Sequence, residues 1–492
     1  MSRLTSTVGA RIQSIVYGSP TPAELGAELA LTTRIDLAHL VMLADRGLIG
    51  PADAAALAGA IQRLRADGFR PLHGVPTPRG LYLAYEQLLS AELGEDTGGR
   101  LHTGRSRNDL KATATALRLR SELHGLVSEL ARLQAVLLSR ARADRDTVMP
   151  VHTHFQAAMP VTYGYYLVGV AIALSRDIAA LRRCVDELDR CPLGASAVAG
   201  TDLPIDPART ARLLGFTAPA RHALDAVASR DDALRALAAA AGAALTISRL
   251  GADLQLWSSA EFGFVAFPDR LVGGSSAMPQ KRNAFLLEHV RAKAGAAIGA
   301  WTAAAATTRA TPFTNAIEVG TEAVAAVWPG LRAVLEGTVL ARAVVGGARP
   351  VPARMLARAE DGFVGATALA NRLVRQGVPF RTAHGLVGGA VRNAVGRGSD
   401  RLAAEDMPAE LKDTDVSLAA LVAEQRFGGG PGEFDAVFAA GYEALTEHAD
   451  WLGAVHRRWD DAARELADAV SRIMVADPAG TDGRNVTEGA GS

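Results

Sequence analysis

The chain has 492 residues, 49% hydrophobic and 21% charged, and its 52 basic and 52 acidic side chains cancel. That length exceeds one compact core, so two to three domains are expected. The even charge offers no basic surface to nucleic acid or an anionic membrane, and no uninterrupted apolar run reaches the roughly 18 residues of a membrane span.

Residues 1–108 carry short helical patterns broken by Pro and Gly, as in Gly74-Val75-Pro76-Thr77-Pro78, and read as an N-terminal helical domain. The opening residues lack the apolar stretch of a signal peptide. From residue 109 to about 143 a helical pattern runs with Gly125 as its one breaker, and Leu117, Leu123, Leu126, Leu130, Leu133 and Leu137 recur at helical spacing. Such a helix spans roughly 50 Å. Further long patterns cover residues 162–188, 231–261, 284–308 and 320–345, which makes 109–350 a central helix-bundle domain. Its small, all-round apolar faces, such as residues 238–244 and 303–306, call for partner helices from other subunits. Cys184 and Cys191 are too few for a disulfide framework and fit a reducing cytoplasm. Their spacing allows both on one helix face and matches no zinc pattern. Beyond residue 350 the helices are expected to shorten again, giving a C-terminal helical domain over 351–492 whose tail from Pro478 is small, polar and without regular structure. The Asn485 glycosylation triplet in that tail reads as accidental.

Three runs carry chemistry. His102-Thr103-Gly104-Arg105-Ser106-Arg107-Asn108-Asp109 sets a hydroxyl, a guanidinium fork and an amide before the first long helix, where anions are favoured. It reads either as an anion site or as a solvated helix start capped by Asp109. Thr153-His154 precedes Pro160, read as the start of a helix, and fits either carboxylate binding with proton relay or a packed histidine. Gly274-Ser275-Ser276-Ala277-Met278-Pro279-Gln280-Lys281-Arg282-Asn283 presents a hydroxyl, backbone N–H groups, an ammonium and an amide on a glycine-hinged loop, a set suited to a carboxylate that gains charge during reaction. Lysine is scarce, four against 48 arginines, so one in this loop is a distinct choice of a compact point charge. Glu288, seven residues on, suits the dipole at the start of the next helix.

The third run resembles the GSSxMPxKxN signature of the fumarase/aspartase superfamily, whose members eliminate across a succinyl carbon–heteroatom bond and release fumarate. The first resembles the HTGRSRND motif of argininosuccinate lyases, and the second their THxQxAQPVT, with Met159 in place of a glutamine. Residues 192–206, 224–231, 256–263 and 377–384 are similar as well, so the likeness covers roughly 25–430 and is nearer argininosuccinate lyase than fumarase, aspartase or adenylosuccinate lyase. It implies an all-α fumarase/aspartase-like fold with a multi-subunit helical core, a homotetramer whose active sites draw on three subunits, and a succinyl-amine substrate. It implies anti β-elimination needing no cofactor or metal, since the substrate carboxylate serves as electron sink. Ser275 would be the base, Lys281 and Asn283 would stabilise the aci-carboxylate, and Ser106, Asn108 and Thr153 would hold the other carboxylate, with Arg107 beside them in the substrate-binding set. His154, paired with Glu288, would pass a proton to the leaving nitrogen.

Four departures concern the amine half of the substrate. A family serine is Asp36, an acid-x-His element reads Gly80-Leu81-Tyr82, Gln-Val-Ala-Thr-Asp becomes Leu110-Lys111-Ala112-Thr113-Ala114, and YNRDLQEDK becomes Thr314 through Glu322. Met278, Asp36, Tyr82, Thr314 and Glu322 complete the expected substrate-facing set. Groups for the fumarate half are kept while those for the amine are exchanged. The expectation is therefore the same elimination with a different amine; a genuine argininosuccinate lyase and an inactive, crystallin-like relative are the alternatives. Asp36 and Glu322 point either to a cationic leaving group or to solvated surface charge.

Overall fold

The computed structural model describes residues 7–475 except 19 and 413, so the tail from Pro478 and the Asn485 triplet lie outside the described residues. The fold is mostly helical, 69%. In chain order the helices are α1 (Ala10–Tyr17), α2 (Pro22–Asp45), α3 (Pro51–Ala66), α4 (Leu81–Leu93), α5 (Glu95–Arg100) and α6 (Arg107–Ala143). A hairpin of β1 (Val148–Thr153) and β2 (Gln156–Thr162) leads to α7 (Tyr163–Glu187), α8 (Pro207–Leu213), α9 (Ala223–Ala228), α10 (Asp231–Trp257) and α11 (Phe285–Thr308). A π-helical turn, Glu318–Ala323, opens α12 (Val324–Gly347). Then come α13 (Pro352–Glu360), α14 (Ala366–Arg375), α15 (Phe380–Gly396), α16 (Leu418–Glu424) and α17 (Phe434–Val475).

Helices α6, α7, α10, α11 and α12 form the expected bundle. The helix α6 starts where Ser106 and Asp109 make a reciprocal capping box, and its leucine stripe is buried. Cross-helix bonds fix the directions. Lys111 near the start of α6 bonds Thr321 before α12, and Arg140 near its end donates to the Ala348 carbonyl (3.1 Å) after α12, so these two run the same way. Tyr166 donates to Asp253 (2.6 Å) while Arg235 pairs with Glu187 (3.2 Å), so α7 runs against α10. We call the end where α6, α10 and α12 begin the upper end, and the opposite one the lower. At Gly330 a Cβ would meet the Leu237 side chain and the Ala300 Cβ at 2.7 and 2.8 Å, so side chains of α10 and α11 fill the space over the bare α12 backbone there.

Two findings differ from the sequence reading. Helix α17, at 42 residues, is the longest here, where short helices were expected. Its buried residues are Phe434, Gly441, His448, Val455, Ala462, Leu466, Ala469 and Val470, sparse over the first four turns, and the glycine, histidine and alanines among them hide the periodicity. It packs on α2, α3, α6 and α7 in the main core, whereas a second apolar core is confined to residues such as Leu369, Leu373, Val387, Met407 and Leu421. Only that middle part of the C-terminal segment therefore has a core of its own. Second, three helical stretches, Tyr163–Glu187, Asp231–Trp257 and Glu318–Gly347, are long and apolar enough by length and composition to cross a membrane. All three pack within the bundle, and the outer faces of α10, α11 and α12 leave Leu245, Leu256, Ile298, Trp301 and Val339 exposed.

Because Gly330 sits at that three-helix contact, Gly330→Val is expected to cost about 1–3 kcal/mol of stability through overpacking. A shift of the urea unfolding midpoint to lower denaturant checks this.

Candidate active site

The signature loop is a flap closed at its base. Gly273 and Asn283 exchange backbone bonds of 2.9 and 2.8 Å, which pinches off residues 274–282 at the lower end of the bundle. Arg282 secures the exit by pairing with Asp269 and donating to the Phe267 carbonyl (2.9 Å). Within the flap, Ser275 Oγ accepts the backbone N–H groups of Met278 (3.1 Å) and Ala277 (3.3 Å). Two donors aimed at one hydroxyl oxygen favour negative charge on it. Asn283 turns its amide inward to the Gly274 carbonyl (3.3 Å), so it braces the flap base. Met278, Lys281 and, one turn into α11, Glu288 are exposed.

Thr153 and His154 lie at the tip of the β1–β2 hairpin, also at the lower end. Thr153 pairs with Gln156, and His154 and Phe155 between them take φ of 50° and 61°. Two-residue hairpin turns of type I′ require left-handed backbone at both central positions, where Asn-Gly is the usual choice. A histidine and a phenylalanine there cost about 1–2 kcal/mol each, and Phe155 is 88% exposed. Strain of this kind clusters at functional sites. The expected proline-started helix is corrected: Pro160 stands in β2 opposite Pro150, and α7 begins after Thr162, whose hydroxyl accepts Tyr165 N–H (3.1 Å). Met159 lines a 530 Å³ cavity with Tyr165, Leu421 and Phe427.

Ser106, Arg107 and Asn108 lie at the upper end. Ser106, not Asp109, is the helix cap, accepting Asn108 N–H (3.2 Å). Asp109 is fully buried and does more: one oxygen accepts Ser106 N–H (2.9 Å), and the other accepts those of Gly194 (3.1 Å) and Ser196 (2.8 Å). Asn108 donates to the Ala197 carbonyl (3.1 Å), and Arg107 to that of Arg79 (3.4 Å). The Ser-x-x-Asp spacing held the signal for this box.

Beneath this loop lies a polar network absent from the sequence reading. Asp36 and Arg105 pair at 2.6 Å with neither side chain exposed. Arg105 donates to Tyr82 Oη (2.8 Å), which contacts His102 Nδ1 (3.3 Å), itself beside Glu86 (3.3 Å). Burial opposes the Arg105 charge, and Asp36 more than offsets it, holding the guanidinium protonated. Burial and Arg105 hold His39 well below the usual histidine range, so its neutral ring donates Nε2–H to the Thr103 carbonyl (2.8 Å). Asp36 is thus neither a surface charge nor free for a cationic amine, and the Tyr82 hydroxyl is engaged as well. Both were expected to face the substrate; instead they anchor the loop that carries Ser106.

On the amine side Thr314 is exposed in the connection before α12, and Glu322 lies on the π turn, also exposed. Lys111 Nζ donates to Thr321 Oγ1, tying that turn to α6. Cys184 ends α7 and Cys191 lies beyond it, so they do not share a helix; both are free and buried, and burial pushes the Cys191 thiol up to about 12.

One chain does not bring these groups together. Thr153, His154, Ser275, Lys281, Asn283 and Glu288 gather at the lower end, while Ser106, Arg107, Asn108, Thr314 and Glu322 gather at the upper. The 37 residues of α6 put about 55 Å between those ends. A 680 Å³ cavity between α6, α9 and α10 is lined by none of them.

A family model described as Lyase matches residues 83–299, and one described as Argininosuccinate lyase C-terminal matches 363–424. The argininosuccinate lyase of Methanoculleus marisnigri is 42% identical over 366 residues, 73% of this chain and 73% of that protein. Among solved structures, EDDS lyase in complex with formate superposes with a TM-score of 0.82 at 27% identity over 92% of each chain. An EDDS lyase variant with bound fumarate gives 0.81 at 26% identity over 96% of this chain and 97% of the other. The long-helix bundle with its serine flap is that of the fumarase/aspartase superfamily. Within it the chain belongs to the argininosuccinate lyase family and is a fumarate-releasing carbon–nitrogen lyase of that type.

Removing the Asp36 charge leaves Arg105 buried without a partner, so Asp36→Asn is expected to cost about 3–5 kcal/mol. Urea denaturation measures it; a loss under about 1 kcal/mol means Arg105 is compensated elsewhere.

Proposed function

We propose that this lyase eliminates fumarate from an N-substituted aspartate other than argininosuccinate, in the cytoplasm, at sites shared between the subunits of a homotetramer. The observation that carries the reading is the pair of backbone N–H groups on Ser275 Oγ, which prepares a hydroxyl to act as base. Ser275 first gives its hydroxyl proton to solvent; the alkoxide then takes a Cβ proton, and the electron pair moves into the adjacent carboxylate as an aci-carboxylate. That dianion then collapses, forming the C=C bond as the Cα–N bond breaks. Lys281 stabilises the charge on the aci-carboxylate; a donor of this kind is worth about 10²–10³ in rate. Ser106, Asn108 and Thr153 hold the second carboxylate, and His154 with Glu288 returns a proton to the leaving nitrogen. The electron sink is part of the substrate, so this chemistry calls for no metal or cofactor. Support for a different amine comes from the exchanged positions Thr314 and Glu322, both exposed at the upper end. The 42% identical argininosuccinate lyase favours argininosuccinate itself as the second reading.

The 55 Å rod set by α6 supports a shared site. Bundles packed antiparallel through the exposed apolar faces of α10, α11 and α12 would bring the lower end of one subunit to the upper end of another.

Ser275→Ala is expected to lower kcat by roughly 10²–10⁴ with folding intact, read from fumarate absorbance; an unimpaired variant removes Ser275 as base. Efficient turnover of argininosuccinate overturns the changed-substrate reading. Ser275→Ala and Asn108→Ala are each expected to be nearly inactive. Dissociating and reassembling a mixture of them should restore activity well above the sum of the two. No recovery in verified mixed oligomers would mean that each site is built by one chain.

A further inference from the structure

Of the two acids that suggest a cationic leaving group, the structure leaves one available. Asp36 is neutralised by Arg105. Glu322 is exposed and makes no salt bridge among the described residues. It projects from the π turn Glu318–Ala323, whose Val319, Gly320 and Ala323 are buried against the bundle. Single π turns inside helices recur at functional sites.

The turn is held against the substrate end of α6. Lys111 lies one helical turn after Asn108, on the same face, with Cβ atoms about 5–6 Å apart. Its ammonium bonds the Thr321 hydroxyl, not a carboxylate, with Glu322 and Glu28 both in electrostatic range. Nearby Arg230 turns to the carbonyls of Val227 and Ser229 and lies beside Asp232. Lys111 and Arg230 both lie in this cluster, but neither forms an ion pair with Glu322, so its carboxylate is available to a further cation. A substrate carboxylate held at Ser106 and Asn108 places the rest of the molecule toward this turn.

Resting on the elimination proposed above, we infer that Glu322 selects leaving amines that carry a second, cationic group at their far end. A neutral or anionic end would leave this carboxylate desolvated without a partner, which sites of this kind reject strongly. Lys111 acts as a positioning residue that holds the turn through Thr321.

The test runs the reaction in the direction of addition, where the amine nitrogen bonds to one olefinic carbon of fumarate and a proton adds to the other. Three amines of one length, 1,4-diaminobutane, butylamine and 4-aminobutanoate, differ in the charge of the far end. Loss of fumarate absorbance with the wild-type enzyme should favour the diamine over butylamine by roughly tenfold or more in kcat/KM, with 4-aminobutanoate poorest. Glu322→Gln should remove most of that advantage through a rise in KM for the diamine, and Glu322→Lys should favour 4-aminobutanoate. The same order in wild type and both variants, or no preference for the diamine, overturns the inference. Release of fumarate from argininosuccinate with none of the three amines added keeps the elimination chemistry and discards the cationic selectivity. Absence of fumarate release or consumption with every one of these compounds discards both.

Discussion

A rod about 55 Å long governs this protein. The buried leucines of α6 and the capping box at its start make it a continuous helix; α7 and α12 pack along it, and α10 and α11 pack on those two. The chemistry-bearing residues lie in the connections or in the first turn of a helix, because the rods are filled with apolar side chains. A bundle therefore has two chemically different ends and cannot bend them together. The shared site proposed above would join them through further copies, and the apolar faces left on α10, α11 and α12 suit that role.

The bundle was legible in the sequence because leucine and alanine recur there at helical spacing with few breakers, and the five expected helices match the observed ones within a few residues. Helix α17 was not legible: its buried positions are sparse over most of its length and include Gly441 and His448. That histidine is satisfied by Ser175 (2.8 Å) and Arg182 (2.8 Å), contacts that only the folded chain creates. At the site, the motifs named the chemical groups but not their partners. Asp109 reads as a cap and proves to be a staple to residues 194–196. Asp36 reads as a charge seeking a cation and already has one, 69 positions away in the chain. Local pattern shows which residue types are present; long-range pairing decides which of them remain unengaged.

The two ends differ in how they are held. At the upper end, Asp109 and the Asp36–Arg105 pair lock the loop before α6 through buried charge. At the lower end, the flap is held by a two-bond base and an exposed ion pair, and the hairpin tip by a strained turn. Fixed donors above and a movable hydroxyl below suit a reaction in which one carboxylate must stay still while a base approaches from the other side.

The π turn has a consequence for how such enzymes diversify. It is an α-helix with one residue too many, and each added residue rotates what precedes it by about 100° around the axis. A single inserted codon there would swing residues 314–317 to a new azimuth while the buried register of α12 stayed put. Substrate range could then drift by insertion and deletion in one helical turn, with the reacting groups untouched.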